Sequence, residues 1–262
     1  MSLDGTPVAL HHRVDGDPTA PAVVLGPSIG TRLAMWEPQV EALAQRWRVI
    51  RFDTRGHGES PVPDGPYTVE GLAGDVVALL DELGVDQFAY AGNSLGGTIG
   101  QQLAVDHPDR VRSLVLCCTA AKLGESAGWH DRAGRVRTEG TDWLVEFTRD
   151  RWFHPDFQAT SPRQVDELLT GLRETPVEGY AGCCEALAEF DGRSRLEQIQ
   201  APTLVVSGEG DPATPPDLGA EMAEGIPDSE LLVVPRAAHL AGVERPDVVT
   251  PAIVDHLRRT CP

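Results

Sequence analysis

The 262-residue sequence lacks any apolar run of the roughly 18 to 20 residues that a membrane-spanning helix needs. Residues 1–20 are polar and lack the basic start and apolar stretch of a secretory signal peptide. With 41% hydrophobic and 24% charged residues, the composition is that of a globular protein. We therefore expect a cytoplasmic protein that forms one large domain, or one domain with an insertion.

Cysteine is also scarce. There are five cysteines, and four of them form the adjacent pairs Cys117-Cys118 and Cys183-Cys184. An odd number of cysteines with immediate neighbours is a poor basis for structural disulfides, and no Cys-x-x-Cys or His-Cys spacing indicates a zinc site. We expect buried free thiols, no metal and no cofactor.

Positive charge is in deficit, with 22 Lys and Arg residues against 40 Asp and Glu residues and a formal net charge of −18. Such a surface repels nucleic acids and anionic membranes, so we expect neither as a partner. A small anionic substrate remains possible, because surface charge is screened over about 8 Å and a pocket can carry its own arginines. The oligomeric state is not indicated.

Seven short runs rich in Val, Leu and Ile predict strands at 8–10, 22–25, 48–52, 88–91, 113–118, 202–207 and 231–234. Intervening segments predict helices at 35–45, 69–83, 95–107, 217–224 and 247–258. Alternating strands and helices indicate an α/β fold, with a mostly parallel central sheet that helices cover on both faces.

The alternation stops between residues 123 and 200. This stretch is rich in Trp, Arg and Glu and has helical patterning at 143–152 and 164–172. We predict a helical cap at 123–200, inserted into a core domain formed by 1–122 and 201–262. Because no repeat or low-complexity linker is present, the cap should pack on the core.

The strongest local signal is Gly92-Asn93-Ser94-Leu95-Gly96, between a predicted strand and a predicted helix. Gly-x-Ser-x-Gly in this context is the nucleophile elbow of the α/β-hydrolase fold. Small neighbours allow the sharp turn, and the helix start directs backbone N–H groups at the site. We predict that Ser94 is a nucleophile, exposed at the carboxyl edge of the sheet. A phosphate-binding turn is the alternative, but neither a G-x-G-x-x-G pattern nor a P-loop lysine is present.

A serine hydroxyl needs a general base, and the base needs an orienting acid. Asp211 follows one late predicted strand and His239 follows the next, in the chain order Ser, Asp, His that this fold uses. Glu209 is the competing acid, but the residue beyond Gly210 is better placed to reach the histidine. His57 also lies in a motif, for which we predict a structural turn.

Acyl transfer further requires hydrogen-bond donors for the oxyanion. The backbone N–H of Leu95, next to the nucleophile, is the first predicted donor. For the second, the loop at the end of the predicted strand 22–25 is the usual source, and we predict the backbone N–H of Ser28.

With these residues in place, the sequence resembles the 3-oxoadipate enol-lactonases, a family of α/β-hydrolases. The resemblance covers about residues 22–246 and rests on the strings SIGTRLAMWEPQ (28–39), FDTRGHGES (52–60), RWF (151–153), GYAGCC (179–184), AH (238–239) and ERP (244–246). Gly26, Pro27, Asn93 and Leu95 depart from the residues usual in the family at the pocket floor.

This resemblance implies cofactor-free hydrolysis of 3-oxoadipate enol-lactone to 3-oxoadipate by a Ser94, His239 and Asp211 triad, in the catabolism of aromatic compounds. The substrate carries a carboxylate, and Trp129 and Arg132 are the candidates for binding it, among the cap arginines Arg132, Arg135, Arg137, Arg149 and Arg151. Two alternatives stay open. The chain could be an esterase or cofactor-free haloperoxidase-like hydrolase of another small ester or lactone, or a non-catalytic ligand receptor on the same fold.

Overall fold

A seven-stranded sheet forms the centre of the protein. The computed structural model describes residues 6–261, so residues 1–5 and Pro262 of the predicted core domain lie outside the described residues. The strands are β1 (His12–Asp15), β2 (Ala22–Gly26), β3 (Arg48–Phe52), β4 (Phe88–Asn93), β5 (Val111–Cys117), β6 (Thr203–Gly208) and β7 (Ser229–Val234). Their order is β1-β3-β2-β4-β5-β6-β7, and only β1 runs antiparallel to its neighbour.

The central strands are buried along their whole length. Every residue of β2, β4 and β6 is buried, whereas the edge strand β7 is largely half-buried or exposed. Continuous burial is expected of parallel strands that helices cover on both faces. Because β2, β4 and β6 are parallel, the residues that follow them meet at one edge of the sheet. Gly26 pairs with Gly92 and Asn93 with Cys117 at this edge.

The core helices are α1 (Glu37–Ala44), α2 (Val69–Glu82), α3 (Leu95–Asp106), α9 (Pro216–Gly225), α10 (Ala241–Glu244) and α11 (Pro246–Thr260). Helix α3 directly follows β4 and is buried from Leu95 to Ala104, packed against β4, β5 and α2. This burial on all sides fixes the start of α3, where the serine motif lies.

One predicted strand is wrong. Residues 8–10 are not a strand, and β1 begins only at His12. The backbone N–H of Val8 donates to Oδ1 of Asp75, and that of His11 donates to Oγ of Ser60. These backbone N–H groups therefore donate to side chains and not to a neighbouring strand. A pattern of apolar residues does not reveal such bonds.

Five α-helices and one 3-10 helix, Arg193–Gln198, occupy the region between β5 and β6, inside the range predicted for the cap. The α-helices are α4 (Ser126–Glu139), α5 (Asp142–Trp152), α6 (Pro155–Thr160), α7 (Pro162–Arg173) and α8 (Val177–Glu189). Helix α8 meets the core closely, because a Cβ atom placed on Gly179 would lie 2.0 Å from the carbonyl oxygen of Gly56. In the part of the chain that the structure describes, no helix is long and apolar enough to cross a membrane. All five cysteines are free and buried.

Candidate active site

Ser94 occupies the turn between β4 and α3 in a conformation that few residues adopt. Its φ is 54° and its ψ −115°, and such backbone strain is typical of functional sites. The glycines of the motif are sterically required, since a Cβ atom on Gly92 would lie 2.2 Å from the carbonyl oxygen of Gly96. A Cβ atom on Gly96 would lie as close to that of Gly26. The sequence thus forms a sharp turn that presents one side chain.

The predicted exposure of Ser94 is wrong, because this residue is only 4% exposed. Cap residues share its cavity and shield it from solvent, an effect of tertiary packing that the motif alone does not reveal. The backbone of Ser94 is held on both sides. Its N–H donates to the carbonyl of Cys117, and its own carbonyl accepts from the hydroxyl of Thr119.

Asp211 and His239 form a buried pair. Nδ1 of His239 lies 2.8 Å from Oδ2 of Asp211, and the two residues are 5% and 2% exposed. Asp211 also accepts hydrogen bonds from the hydroxyl and N–H of Thr214 and from the N–H of Ala213. Burial raises the pKa of the Asp211 carboxyl, but the charge and hydrogen bond of His239 and the hydrogen bonds of Thr214 outweigh it, so the net pKa is lowered. Asp211 is therefore ionised at neutral pH and suited to orient an imidazole.

The competing acid Glu209 points elsewhere. It is exposed, and its Oε2 accepts a hydrogen bond from the N–H of Arg236. The loop that carries His239 is anchored independently, since the amide of Asn93 donates to the carbonyl of His239. The residue before the serine thus also holds the backbone of the histidine.

Ser94 and His239 face a common cavity of about 180 Å³. This volume is below the 300 to 1,000 Å³ of pockets for drug-sized ligands, so the cavity suits a small substrate. Trp129 and Arg132, the two cap residues predicted from the sequence, also line it. The other cap and loop residues of the wall include Ile29, Leu123, Phe147, Arg151, Trp152 and Tyr180.

The geometry favours Ile29 over the predicted Ser28 as the candidate second oxyanion donor. The N–H of Ser28 points at the sulfur of Met35, with an N···S distance of 3.2 Å, and the N–H of Gly30 donates to Nε2 of His57. Between them, the N–H of Ile29 has no hydrogen-bond partner among residues 6–261, and Ile29 lines the cavity. Leu95, as the first residue of α3, likewise has no intrahelical acceptor for its N–H. Ile29 and Leu95 are therefore the candidate pair of oxyanion donors.

The arginines of the cap divide into two groups. Seven of the nine lie within 4.0 Å of a carboxylate, namely Arg135, Arg137, Arg149, Arg163, Arg173, Arg193 and Arg195. Arg132 and Arg151 have no such partner within the described range, and both line the cavity of Ser94. Their guanidinium groups lie 4.9 and 5.0 Å from the centre of the Phe147 ring, and Arg132 lies 4.4 Å from that of Trp129.

The cavity therefore has a positive end, and the carboxylate in its wall, that of Glu125, lies 3.6 Å from Nζ of Lys122. Burial lowers the pKa of Arg151, and the positive charge of Arg132 lowers it further, against the opposing effects of Asp211 and Tyr180. Two neighbouring cations with no carboxylate within 4.0 Å among residues 6–261 repel each other, and a bound anion would relieve this repulsion. Among residues 6–261, no cluster of three His, Cys, Asp or Glu side chains could hold a metal ion.

Sequence reasoning missed Ile29 as a candidate donor and did not single out Arg151 or Glu244. Arg151 lies in the RWF string, which could have marked it. Glu244, in the ERP string, is 6% exposed and accepts the N–H groups of Ala238, beside His239, and of His154 in the cap. It thus connects the cap to the histidine loop.

Comparison with known proteins places this geometry in a family. A family model described as the alpha/beta hydrolase fold matches residues 21–246. The chain belongs to the α/β-hydrolase family. This α/β-hydrolase is 40% identical over 258 residues to 3-oxoadipate enol-lactonase 2 of Acinetobacter baylyi, which covers 98% of this chain and 96% of that protein. The resemblance to 3-oxoadipate enol-lactonases is therefore confirmed, and the chain is a hydrolytic enzyme.

Two further relatives are similar to this α/β-hydrolase over at least nine-tenths of its length. The crystal structure of the enol-lactonase from Burkholderia xenovorans superposes with a TM-score of 0.93 at 41% identity, covering 95% of this chain and 96% of that one. A protein of Azorhizobium caulinodans, named RutD as a candidate carbamate hydrolase, is 32% identical over 253 residues, covering 91% of each chain.

Proposed function

We propose that this α/β-hydrolase hydrolyses 3-oxoadipate enol-lactone to 3-oxoadipate through a covalent acyl-enzyme on Ser94. One observation carries the proposal beyond a general esterase: the cavity that contains Ser94 and His239 also contains Arg132 and Arg151, which have no carboxylate within 4.0 Å in the described residues 6–261. An anionic substrate would supply the missing partner. The names of the enol-lactonase relatives agree with this substrate.

In the first step, Oγ of Ser94 attacks the lactone carbonyl while Nε2 of His239 takes its proton. Asp211, bonded to Nδ1, fixes the tautomer that leaves Nε2 free and stabilises the imidazolium that forms. The carbonyl oxygen becomes an oxyanion, which the N–H groups of Ile29 and Leu95 can receive. A single donor of this kind contributes roughly 3 to 4 kcal/mol to transition-state stabilisation.

Collapse of the tetrahedral intermediate breaks the ring C–O bond, and the imidazolium of His239 protonates the departing enol oxygen. This oxygen stays tethered in the acyl chain, so the first step releases nothing. Water activated by His239 then attacks the acyl-enzyme, and Ser94 leaves as the alcohol. The enol of the released acid tautomerises to the 3-oxo group.

The carboxylate of the substrate would lie at the Arg132 and Arg151 end of the cavity. Planar guanidinium groups grip carboxylates with paired hydrogen bonds, and the aromatic rings of Trp129 and Phe147 hold them in place. In a chain of net charge −18, the transfer of an anion from water into the cavity would be unfavourable without these two cations.

A substrate panel tests the proposal. The enol-lactone, p-nitrophenyl acetate and homoserine lactones are compared by kcat/KM, and the enol-lactone should exceed the others by at least about tenfold. A preference for a neutral ester would instead identify a general esterase. Burst labelling by a fluorophosphonate with slow turnover of every compound would identify a receptor that keeps the triad.

A further inference from the structure

His57 lies in the FDTRGHGES string, for which the sequence predicts only a structural turn, yet its ring reaches the candidate oxyanion loop. The side chain is 1% exposed. Its Nε2 lies 2.9 Å from the backbone nitrogen of Gly30, and its Nδ1 lies 3.3 Å from the carbonyl oxygen of Arg55. Both contacts are inside the protein, so the ring cannot exchange them for water.

The protonation state of His57 follows from these partners. A backbone N–H can only donate, so Nε2 must accept and carry no proton, while Nδ1 carries the proton and faces a carbonyl. Burial lowers the pKa of His57 to about 4, against the opposing effects of the Arg55 carbonyl and the Asp53 charge, and Arg32 lowers it further. The imidazole is therefore neutral at physiological pH, as an acceptor must be.

The loop from residue 28 to residue 33 is tied to this same string at two points. The N–H of Gly30 donates to His57, and the N–H of Leu33 donates to Oδ1 of Asp53, at 2.7 Å. The peptide of Gly30 follows directly on Ile29, whose N–H is free to meet the oxyanion. On the other side of Ile29, the N–H of Ser28 has only a thioether acceptor, which is weak. The carbonyl of Ser28, in the same peptide as the Ile29 N–H, accepts hydrogen bonds from the N–H and hydroxyl of Thr31, at 3.1 and 2.7 Å. The bond from Gly30 to His57 holds the next peptide, on the other side of the Ile29 Cα atom.

On the premise that Ser94 is the nucleophile of the proposed function, we infer that His57 is a positioning residue that orients the backbone of Ile29 as an oxyanion donor. It touches no substrate and transfers no proton. It acts through the direction of one amide, so its contribution arises only when the oxyanion forms. Loss of its acceptor would lower kcat while KM stays nearly constant.

Two substitutions of similar polarity separate this role from packing. His57→Gln places its amide oxygen near the position of Nε2, whereas His57→Asn places its amide near that of Nδ1 and leaves Gly30 without an acceptor. Both are assayed on p-nitrophenyl acetate, which makes no demand on the arginines. Phenylboronic acid, which forms a tetrahedral adduct with an active serine, serves as the transition-state probe, and thermal unfolding is recorded for each variant.

His57→Asn should lower kcat by about tenfold or more with KM within about twofold, and should weaken phenylboronic acid inhibition by a similar factor. His57→Gln should retain most of both. Equal losses in the two variants, unchanged inhibition, or loss of the fold in either would overturn the inference and assign His57 to stability. Failure of the proposed function would be visible separately, because the Ser94→Ala variant would then retain activity.

Discussion

Replacing the unpaired arginines with methionine gives the sharpest test of substrate recognition. Methionine keeps much of the apolar bulk of arginine and removes the charge. Arg132 and Arg151 both line the cavity of Ser94, and neither has a carboxylate partner within 4.0 Å in residues 6–261. Either substitution should therefore change the binding of an anion without breaking an ion pair of the cap.

The size of the effect follows from the geometry. A hydrogen bond to a charged group contributes about 1.5 to 3 kcal/mol, and each 1.4 kcal/mol is a factor of ten. If one such bond is lost, kcat/KM for the enol-lactone should fall by about 10- to 150-fold. We expect Arg151→Met at the lower end, because its removal also relieves the repulsion that Arg132 experiences.

The assay compares the anionic enol-lactone with neutral p-nitrophenyl acetate, on which neither substitution should have much effect. Matched controls come from the same helices. Arg135→Met in α4 and Arg149→Met in α5 remove arginines that are paired with Glu139 and Asp166. Equal losses on both substrates, or equal losses in the controls, would refute a carboxylate site at Arg132 and Arg151.

Three further predictions concern the core of the site. Ser94→Ala should leave less than about 1% of wild-type kcat with an unchanged thermal midpoint, and more residual activity would argue against Ser94 as the nucleophile. Asp211→Asn should lower kcat by roughly 10⁴-fold while Glu209→Gln leaves it nearly intact, and the opposite result would reassign the acid. Burial raises the pKa of Glu244 to about 7, against an ordinary value of 4.5, so the folded state binds this proton more tightly than the unfolded chain and loses stability as pH rises from 4.5 through 7. Denaturant titrations should show a loss of about 3 kcal/mol relative to Glu244→Gln across this range, and parallel pH profiles of the two proteins would contradict it.

The fold and the candidate reacting residues can be predicted from local sequence patterns. β4, the glycines of the serine motif and α3 are contiguous in sequence, so their geometry can be read directly. Asp211 and His239 each follow an apolar strand of a parallel sheet, and the carboxyl ends of such strands meet at one edge. The Asp211 and His239 side chains are predicted to meet for this reason, and in the structure they do.

The second oxyanion donor could not be predicted in the same way. The sequence locates the loop after β2, but the choice between Ser28 and Ile29 depends on which amide already has a partner. Those partners are Met35 and His57, up to 27 residues away from the loop. Only the folded chain shows that the N–H of Ser28 faces a thioether and that the N–H of Ile29 has no hydrogen-bond partner among residues 6–261.

The arginines of the cap show the same limit and explain how an acidic protein can favour an anion. Arg135 and Arg163 lie four residues before Glu139 and Glu167, so helical spacing alone predicts that they are paired. The other pairs join residues distant in sequence, such as Arg195 with Asp106, and no local pattern distinguishes them from Arg132 or Arg151. Among residues 6–261, carboxylates pair with seven cap arginines and leave Arg132 and Arg151, which both line the cavity, without a carboxylate within 4.0 Å. Selectivity for an anion therefore depends on which arginines of the folded cap lack an ion-pair partner. The net charge of −18 does not reveal their positions.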